Sequence, residues 1–250
     1  MVCNAAHVCP FCHHQKSAKD KAVLAEIVAE HYASGSFMVD AVLTVPHANG
    51  EALAKVLERL EAVWKSLRSR KIWRNLSDSL GIVGCIRKLE ITLTKNGWHP
   101  HFHVSFLCDW RAASGIKGST RQAALEDAHS LVAGSWSDAG KREGIRVCMY
   151  AQSAVTIIAA VDAIRAIKYN AKNMGYGESK GESLTPVDLL RIISQIENKE
   201  AINAAKHLFA EYCAAIKGKH TLTFLGSARA AKTSLAEVQS AEPPRPDVQE

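Results

Sequence analysis

Leu89-Glu90-Ile91-Thr92-Leu93-Thr94-Lys95-Asn96-Gly97-Trp98-His99-Pro100-His101-Phe102-His103-Val104 alternates apolar and polar residues on either side of an Asn96-Gly97 pair. Alternation of period two places successive side chains on opposite faces of a strand. Asn-Gly is a favoured hairpin turn because it accepts positive φ angles. The stretch is therefore expected to fold as a β-hairpin. Glu90, Thr92 and Thr94 share one face of the first strand, and Leu89, Ile91 and Leu93 share the other. On the return strand, Trp98 to Leu107, His101 and His103 face one way while Phe102 packs the other way. Antiparallel pairing then sets Glu90 beside the two imidazoles. Two histidines and a carboxylate on one sheet face form a candidate three-ligand site for a divalent metal with open positions. The same residues also fit a half-buried strand with an outer face that carries histidines, with Glu90 as a cross-strand partner.

The surrounding chain is that of an ordinary globular protein. It has 250 residues, 47% hydrophobic and 22% charged, enough for one sizeable domain with attachments. A net charge of +6 tilts it toward anionic partners such as nucleic acid. No apolar run is long enough for a bilayer, and Met1-Val2-Cys3-Asn4 opens no signal-peptide core, so a cytoplasmic protein without a membrane partner is expected. Cys85, Cys108, Cys148 and Cys213 stand in apolar stretches, where buried thiols are the default. Cys3, Cys9 and Cys12 cluster instead, which in a reducing compartment points to metal before disulfide. Cys9-Pro10-Phe11-Cys12 is a candidate zinc knuckle, with Cys3, His7, His13 or His14 available to complete it. A disordered basic leader carrying Lys16, Lys19 and Lys21 is the alternative.

The rest of the chain reads as alternating elements. Asp20 to His31 is helical in pattern, Phe37 to Val45 is a strand, and Glu51 to Arg70 is a helix with the stripe Leu53, Val56, Leu57, Leu60, Val63, Trp64 and Leu67. Gly81 to Thr94 forms the first hairpin strand. Gly118 to Trp136 reads as a helix capped by Ser119 or Thr120, Gly144 to Tyr150 as a strand, and Val155 to Lys172 as a helix. Thr185-Pro186 opens a further helix, Ala201 to Ile216 makes another, and Thr221 to Leu225 is a short strand. The expected class is α+β, a central antiparallel sheet flanked by helices. Residues 1–34 would form an N-terminal segment with the knuckle, 35–178 the central domain, 179–227 a C-terminal helical extension and 228–250 a disordered tail.

These residues carry a resemblance. Ala41-Val42-Leu43-Thr44-Val45-Pro46-His47, then Gly84-Cys85-Ile86-Arg87-Lys88-Leu89-Glu90-Ile91-Thr92 with Trp98-His99-Pro100-His101-Phe102-His103, then Lys168-Tyr169-Asn170-Ala171-Lys172, resemble the three motifs of the replication initiator (Rep) proteins of small rolling-circle plasmids. These belong to the HUH endonuclease superfamily. Cys9-Pro10-Phe11-Cys12 and Lys217-Gly218-Lys219 match further features of the family, so the resemblance runs from about Cys9 to Ser227. It implies an RRM-like palm with the histidine strand in the middle of the sheet and the tyrosine helix beside the site. It implies a metal-dependent DNA nickase and strand transferase, in which His101, His103 and Glu90 hold Mg²⁺ or Mn²⁺. Tyr169 would be the nucleophile, giving a 5′-phosphotyrosine and a 3′-OH primer, with Lys172 stabilising its phenolate. Arg87, Lys168 and His99 would be DNA contacts, with His99 outside the metal set. The implied partners are single- and double-stranded origin DNA, a host helicase and a polymerase.

One position departs from the pattern. Some of these initiators carry a glutamate four residues before the tyrosine, where this chain has Arg165. Asp162, Glu178 or a second tyrosine, Tyr176, are the candidates left for resolving a covalent intermediate. Other readings of the same residues are an HUH transposase or relaxase, a non-catalytic copy-control DNA binder, and a hydrolase of small phosphates. Histidines that precede the tyrosine speak against a relaxase.

Overall fold

The computed structural model describes residues 9–112, 121–172 and 183–241. Its elements run α1 (Pro10–Ala33), β1 (Phe37–Thr44), α2 (Leu53–Leu67), α3 (Arg70–Leu80), β2 (Ile82–Thr94), β3 (Gly97–Cys108), α4 (Arg121–Arg142), a 3₁₀ turn (Met149–Ala151), β4 (Ser153–Ile157), α5 (Ala160–Lys172), α6 (Pro186–Gln195), α7 (Lys199–Ile216), β5 (Leu222–Gly226) and α8 (Ser227–Ala241). The class is α+β, as expected. A five-stranded sheet in the order β4-β1-β3-β2-β5 is antiparallel throughout, and helices flank it. The histidine strand β3 takes the central place.

The strand alternation sorts residues into two cores. Phe37, Val39, Ala41 and Leu43 of β1, Leu89 and Ile91 of β2, and Phe102, Val104 and Phe106 of β3 face one way. They meet the apolar stripe of α2, which is buried along its whole length, together with Leu76 and Leu80 of α3, Trp136 of α4 and Tyr212 of α7. Met38, Ile86 and Leu107 face the other way and meet Leu24, Ile27 and Val28 of α1, Ala163 of α5 and Ala228 of α8. The sheet is thus covered on both faces, completely on the first and over one end of the second.

Several boundaries differ from those the sequence led to expect. The helix predicted over 51–70 ends at Leu67, and a separate helix, α3, follows from Arg70 and closes on Gly81 at φ 66°, the left-handed conformation that ends many helices. The strand predicted over 144–150 does not form. Ile145 donates its N–H back to the Gly140 carbonyl, and Val147 packs so close to Gly140 that a Cβ there would meet it at 2.5 Å, so the segment folds onto the end of α4. The strand forms instead at Ser153–Ile157, where β-branched Val155, Thr156 and Ile157 suit a sheet edge, and the helix starts only at Ala160. The segment placed in a disordered tail is helical from Ser227 to Ala241. Ala228, Ala231 and Leu235 give α8 a narrow apolar face that packs on the second core, and residues 242–250 lie outside the described residues. Cys9 and Cys12 open α1, with Cys9 at its N-cap and Cys12 buried. Cys3 and His7, the cap candidates Ser119 and Thr120, and Tyr176 and Glu178 lie outside the described residues. The expected cap at Thr185 is present, as a reciprocal capping box with Asp188.

Candidate metal centre

The hairpin turn at Lys95-Asn96 fixes the register, with Gly97 at φ 93° receiving the returning chain. Glu90 pairs directly with His101, and Lys88 with His103. His103 Nε2 lies 2.7 Å from Glu90 Oε2, His101 Nε2 lies 3.5 Å from the same oxygen, and the two ring nitrogens are 3.2 Å apart. Among the described residues this is the one cluster of three histidine, cysteine or carboxylate donors that converges closely enough to hold a metal ion. Two cis ligands at about 2.1 Å from an octahedral ion stand about 3.0 Å apart, and the three separations straddle that value. The spacing of the donor set therefore fits a divalent ion. The His101 Nδ1–H donates to the His99 carbonyl at 3.4 Å, which directs Nε2 at the cluster. Burial disfavours the Glu90 carboxylate, but hydrogen bonds from His101 and His103 outweigh it and hold the carboxyl well below the usual range. A carboxylate kept ionised beside two imidazoles is the form a cation needs.

Residues beyond the expected set complete the surroundings. Lys88 shares the Glu90 face and is buried, which pushes its ammonium down to about 8 against the pull of Glu90 and Asp40. Asp40 accepts a hydrogen bond from the Ser105 hydroxyl at 2.6 Å. His47, at the end of the Val45-Pro46-His47 segment, places Nε2 3.0 Å from His99 Nδ1. Four imidazoles thus run in file, since the His99 and His101 ring centroids are 5.3 Å apart. Burial, aided by the charges of His101 and His47, lowers His99 to about 4, so His99 stays neutral at physiological pH. Strand parity predicts Lys88; nothing local in the sequence ties His47 to His99, because they meet only through packing.

Arg87 corrects the expectation of a DNA contact. It belongs to the Leu89 and Ile91 face, opposite the metal cluster, and is 7% exposed. Its guanidinium stacks 4.3 Å from the Phe102 ring and pairs with Glu61 of α2 at 2.8 Å, so it fastens α2 to the sheet. His99 does lie beside the cluster. Lys168, Tyr169 and Lys172 belong to the last turns of α5, and their side chains lie outside the described residues. The first turns of α5 pack by Ala163, Ile164 and Ala166 on the same sheet face that carries Glu90 and the histidines. Arg165 is exposed and pairs with Asp162 at 3.5 Å. No described helix is long and apolar enough to cross a membrane.

"Protein rep" of Lentilactobacillus hilgardii is 30% identical over 104 residues, 40% of this chain and 31% of that protein. The chain thus matches about a third of the length of this relative. No solved structure matches. The family model described as "Replication protein" matches residues 1–110, which end just past β3; Tyr169 and Lys172 fall beyond them. It is to the replication protein family that residues 1–110, and with them the whole Glu90–His101–His103 cluster, are matched.

Proposed function

We propose that the protein initiates rolling-circle replication of a plasmid as an HUH endonuclease, nicking single-stranded origin DNA through Tyr169. The observation that carries the proposal is the convergence of Glu90, His101 and His103 within a stretch matched to replication proteins. When bound, a divalent ion supplies Lewis acidity at a non-bridging oxygen of the scissile phosphate. Glu90, His101 and His103 would hold it. Lys88 adds a cationic neighbour to a face that must receive a polyanion. A tyrosine hydroxyl, with an ordinary pKa of about 10, is a weak nucleophile and needs its phenolate stabilised. Lys172 follows Tyr169 by three residues on α5, about one helical turn, and would supply that charge.

In the cleavage step the Tyr169 oxygen forms a bond to phosphorus and loses its proton, and the bond from phosphorus to the 3′ oxygen breaks. The 3′ oxygen takes up a proton and leaves as a free hydroxyl, able to prime a polymerase. The 5′ phosphate stays on the tyrosine. The reverse attack by a 3′-OH religates the strand. A host helicase and polymerase are the partners this chemistry calls for.

The test uses single-stranded oligonucleotides tiled across the replicon that encodes the chain, incubated with the protein and Mn²⁺. A covalent protein–DNA adduct on a denaturing gel is expected for one of them. It is lost with chelator and in Tyr169→Phe, while that variant still binds the oligonucleotide. An adduct that survives in Tyr169→Phe sinks the proposal, as does the absence of any adduct across the tiled set.

A further inference from the structure

We infer that single-stranded DNA leaving the metal centre runs past His99 into a built cavity and onto a platform formed by Arg146 and Tyr150. The inference rests on the nuclease reading above and extends it to a binding track that the metal cluster does not include.

A cavity of about 510 Å³ opens beside the histidine file, with His47 and His99 in its wall and Asn49, Asn96, Arg146 and Gln152 around it. Its size suits a ligand of nucleotide scale. Its walls are fixed. The Gln152 side chain accepts the Thr44 N–H at 2.7 Å and donates to the Cys148 carbonyl at 2.9 Å. Trp136 Nε1 donates to the Thr44 carbonyl at 2.8 Å. Glu51 accepts the Ala48 N–H and pairs with Arg59, and Arg59 in turn donates to the Pro46 carbonyl, which clasps the loop that presents His47 and Asn49.

A second cavity, of about 620 Å³, shares Arg146, Val147 and Cys148 with the first and continues to Met149 and Tyr150. Tyr150 is 95% exposed and Met149 41% exposed, both on the 3₁₀ turn between α4 and β4. A tyrosine ring held almost wholly in water on an ordered turn offers a face for a base, and stacking of that kind tolerates any base. Arg146 lies between the two cavities and is exposed, placed to meet a phosphate. No carboxylate lines either cavity among the described residues. The cavity between α1 and α8 differs, for Glu30 and Asp109 line it. Polar side chains at the metal end, a cation in the middle and an aromatic face at the far end are the sequence of groups that a single strand uses.

The test measures fluorescence anisotropy of an oligothymidylate of about 20 nucleotides, longer than a single binding module needs, with full-length protein and Mn²⁺. Tyr150→Ala is expected to weaken binding about tenfold and Tyr150→Trp to restore it. Arg146→Gln is expected to lower the slope of log affinity against log salt by about 0.7, one phosphate contact on a single strand. In the wild-type protein the same oligonucleotide is expected to protect exposed Cys148 from iodoacetamide, read by mass spectrometry of its peptide. If the wild type binds and Tyr150→Ala and Arg146→Gln both match it in affinity and salt slope, with Cys148 unprotected, the track is overturned and the nuclease reading stands. If the wild type does not bind single strands at all, both are overturned.

Discussion

Replacing Glu90 by glutamine removes one charge from the metal cluster and changes almost nothing else. The amide keeps the carboxylate's size and can still meet His103, whose Nε2 is 2.7 Å away in the wild type. Glu90 is held ionised without metal, so a cation enters a site already charged for it. The three donors come from two strands that diverge on unfolding, so binding favours the folded state. A metal at a hundred times its Kd stabilises the fold by about 2.7 kcal/mol. For a chain of this size about 2–4 °C of Tm accompany each kcal/mol, so Mn²⁺ should raise Tm by roughly 5–11 °C. Disturbing even an outer partner of a metal ligand lowers affinity by roughly 10–100-fold, and Glu90 is a direct donor. A hundredfold loss leaves the metal only at its Kd, worth about 0.4 kcal/mol and about 1–2 °C. The assay is differential scanning fluorimetry with and without Mn²⁺, at fixed metal, on wild type, Glu90→Gln, His103→Ala and His99→Ala. The first two variants should lose most of the shift, and His99→Ala should keep it. An undiminished shift in Glu90→Gln or His103→Ala refutes the three-donor site.

Two further outcomes test the frame around the site. The Arg59 guanidinium and the Ala48 N–H hold the Glu51 carboxyl down at about 2, below the 4.5 of a free side chain. The unfolded chain therefore binds the extra proton first, so this clasp stabilises the fold above pH 4.5 and is lost as pH falls toward 2. Glu51→Gln should flatten the acid limb of a Tm-against-pH curve in that window, and an unchanged limb would count against the clasp. Glu61→Ala strands the buried Arg87 guanidinium, at a cost of about 1.5–3 kcal/mol or roughly 3–12 °C by thermal melting. Arg87→Met removes the buried charge, keeps the bulk and leaves the partly exposed Glu61 to water, so it should cost less; the reverse order would contradict the core role of Arg87.

The hairpin and its cluster were legible because every constraint on them is local. Glu90 and His101 are separated by one turn, and parity alone decides which face each takes. Parity also contained the answer for Arg87, which alternates in step with Leu89 and Ile91; the resemblance pointed it to DNA, but stacking on Phe102 and pairing with Glu61 make a buried guanidinium tolerable. The pairing of His47 with His99 was not legible, since their separation along the chain is bridged only by packing of β1 against β3. The 145–150 segment misled because its apolar residues serve the end of α4 and an exposed surface instead of a sheet. The helix α8 was hidden by its small apolar face, where Ala228 and Ala231 do work usually assigned to larger residues.

The second face of the sheet changes character along the strands, and all three central strands change together. Reading β1, β3 and β2 across the register, Met38 stands beside Leu107, and Asp40 beside Ser105 and Ile86. Val42 then stands beside His103 and Lys88, and Thr44 beside His101 and Glu90. The apolar end is what α1, α5 and α8 cover; the polar end is what they leave to a ligand. Register and chemistry are therefore one constraint. A slip of one residue between β2 and β3 would turn Glu90 into the core of the opposite face. A slip of two would keep the faces but set Lys88 or Thr92 opposite His101, replacing the carboxylate with a cation or a hydroxyl. Only the observed pairing gives both a closed apolar end and a convergent acidic–imidazole end. The short turn at Lys95-Asn96, which permits little slippage, is thus as much a part of the metal centre as the residues that would hold the ion.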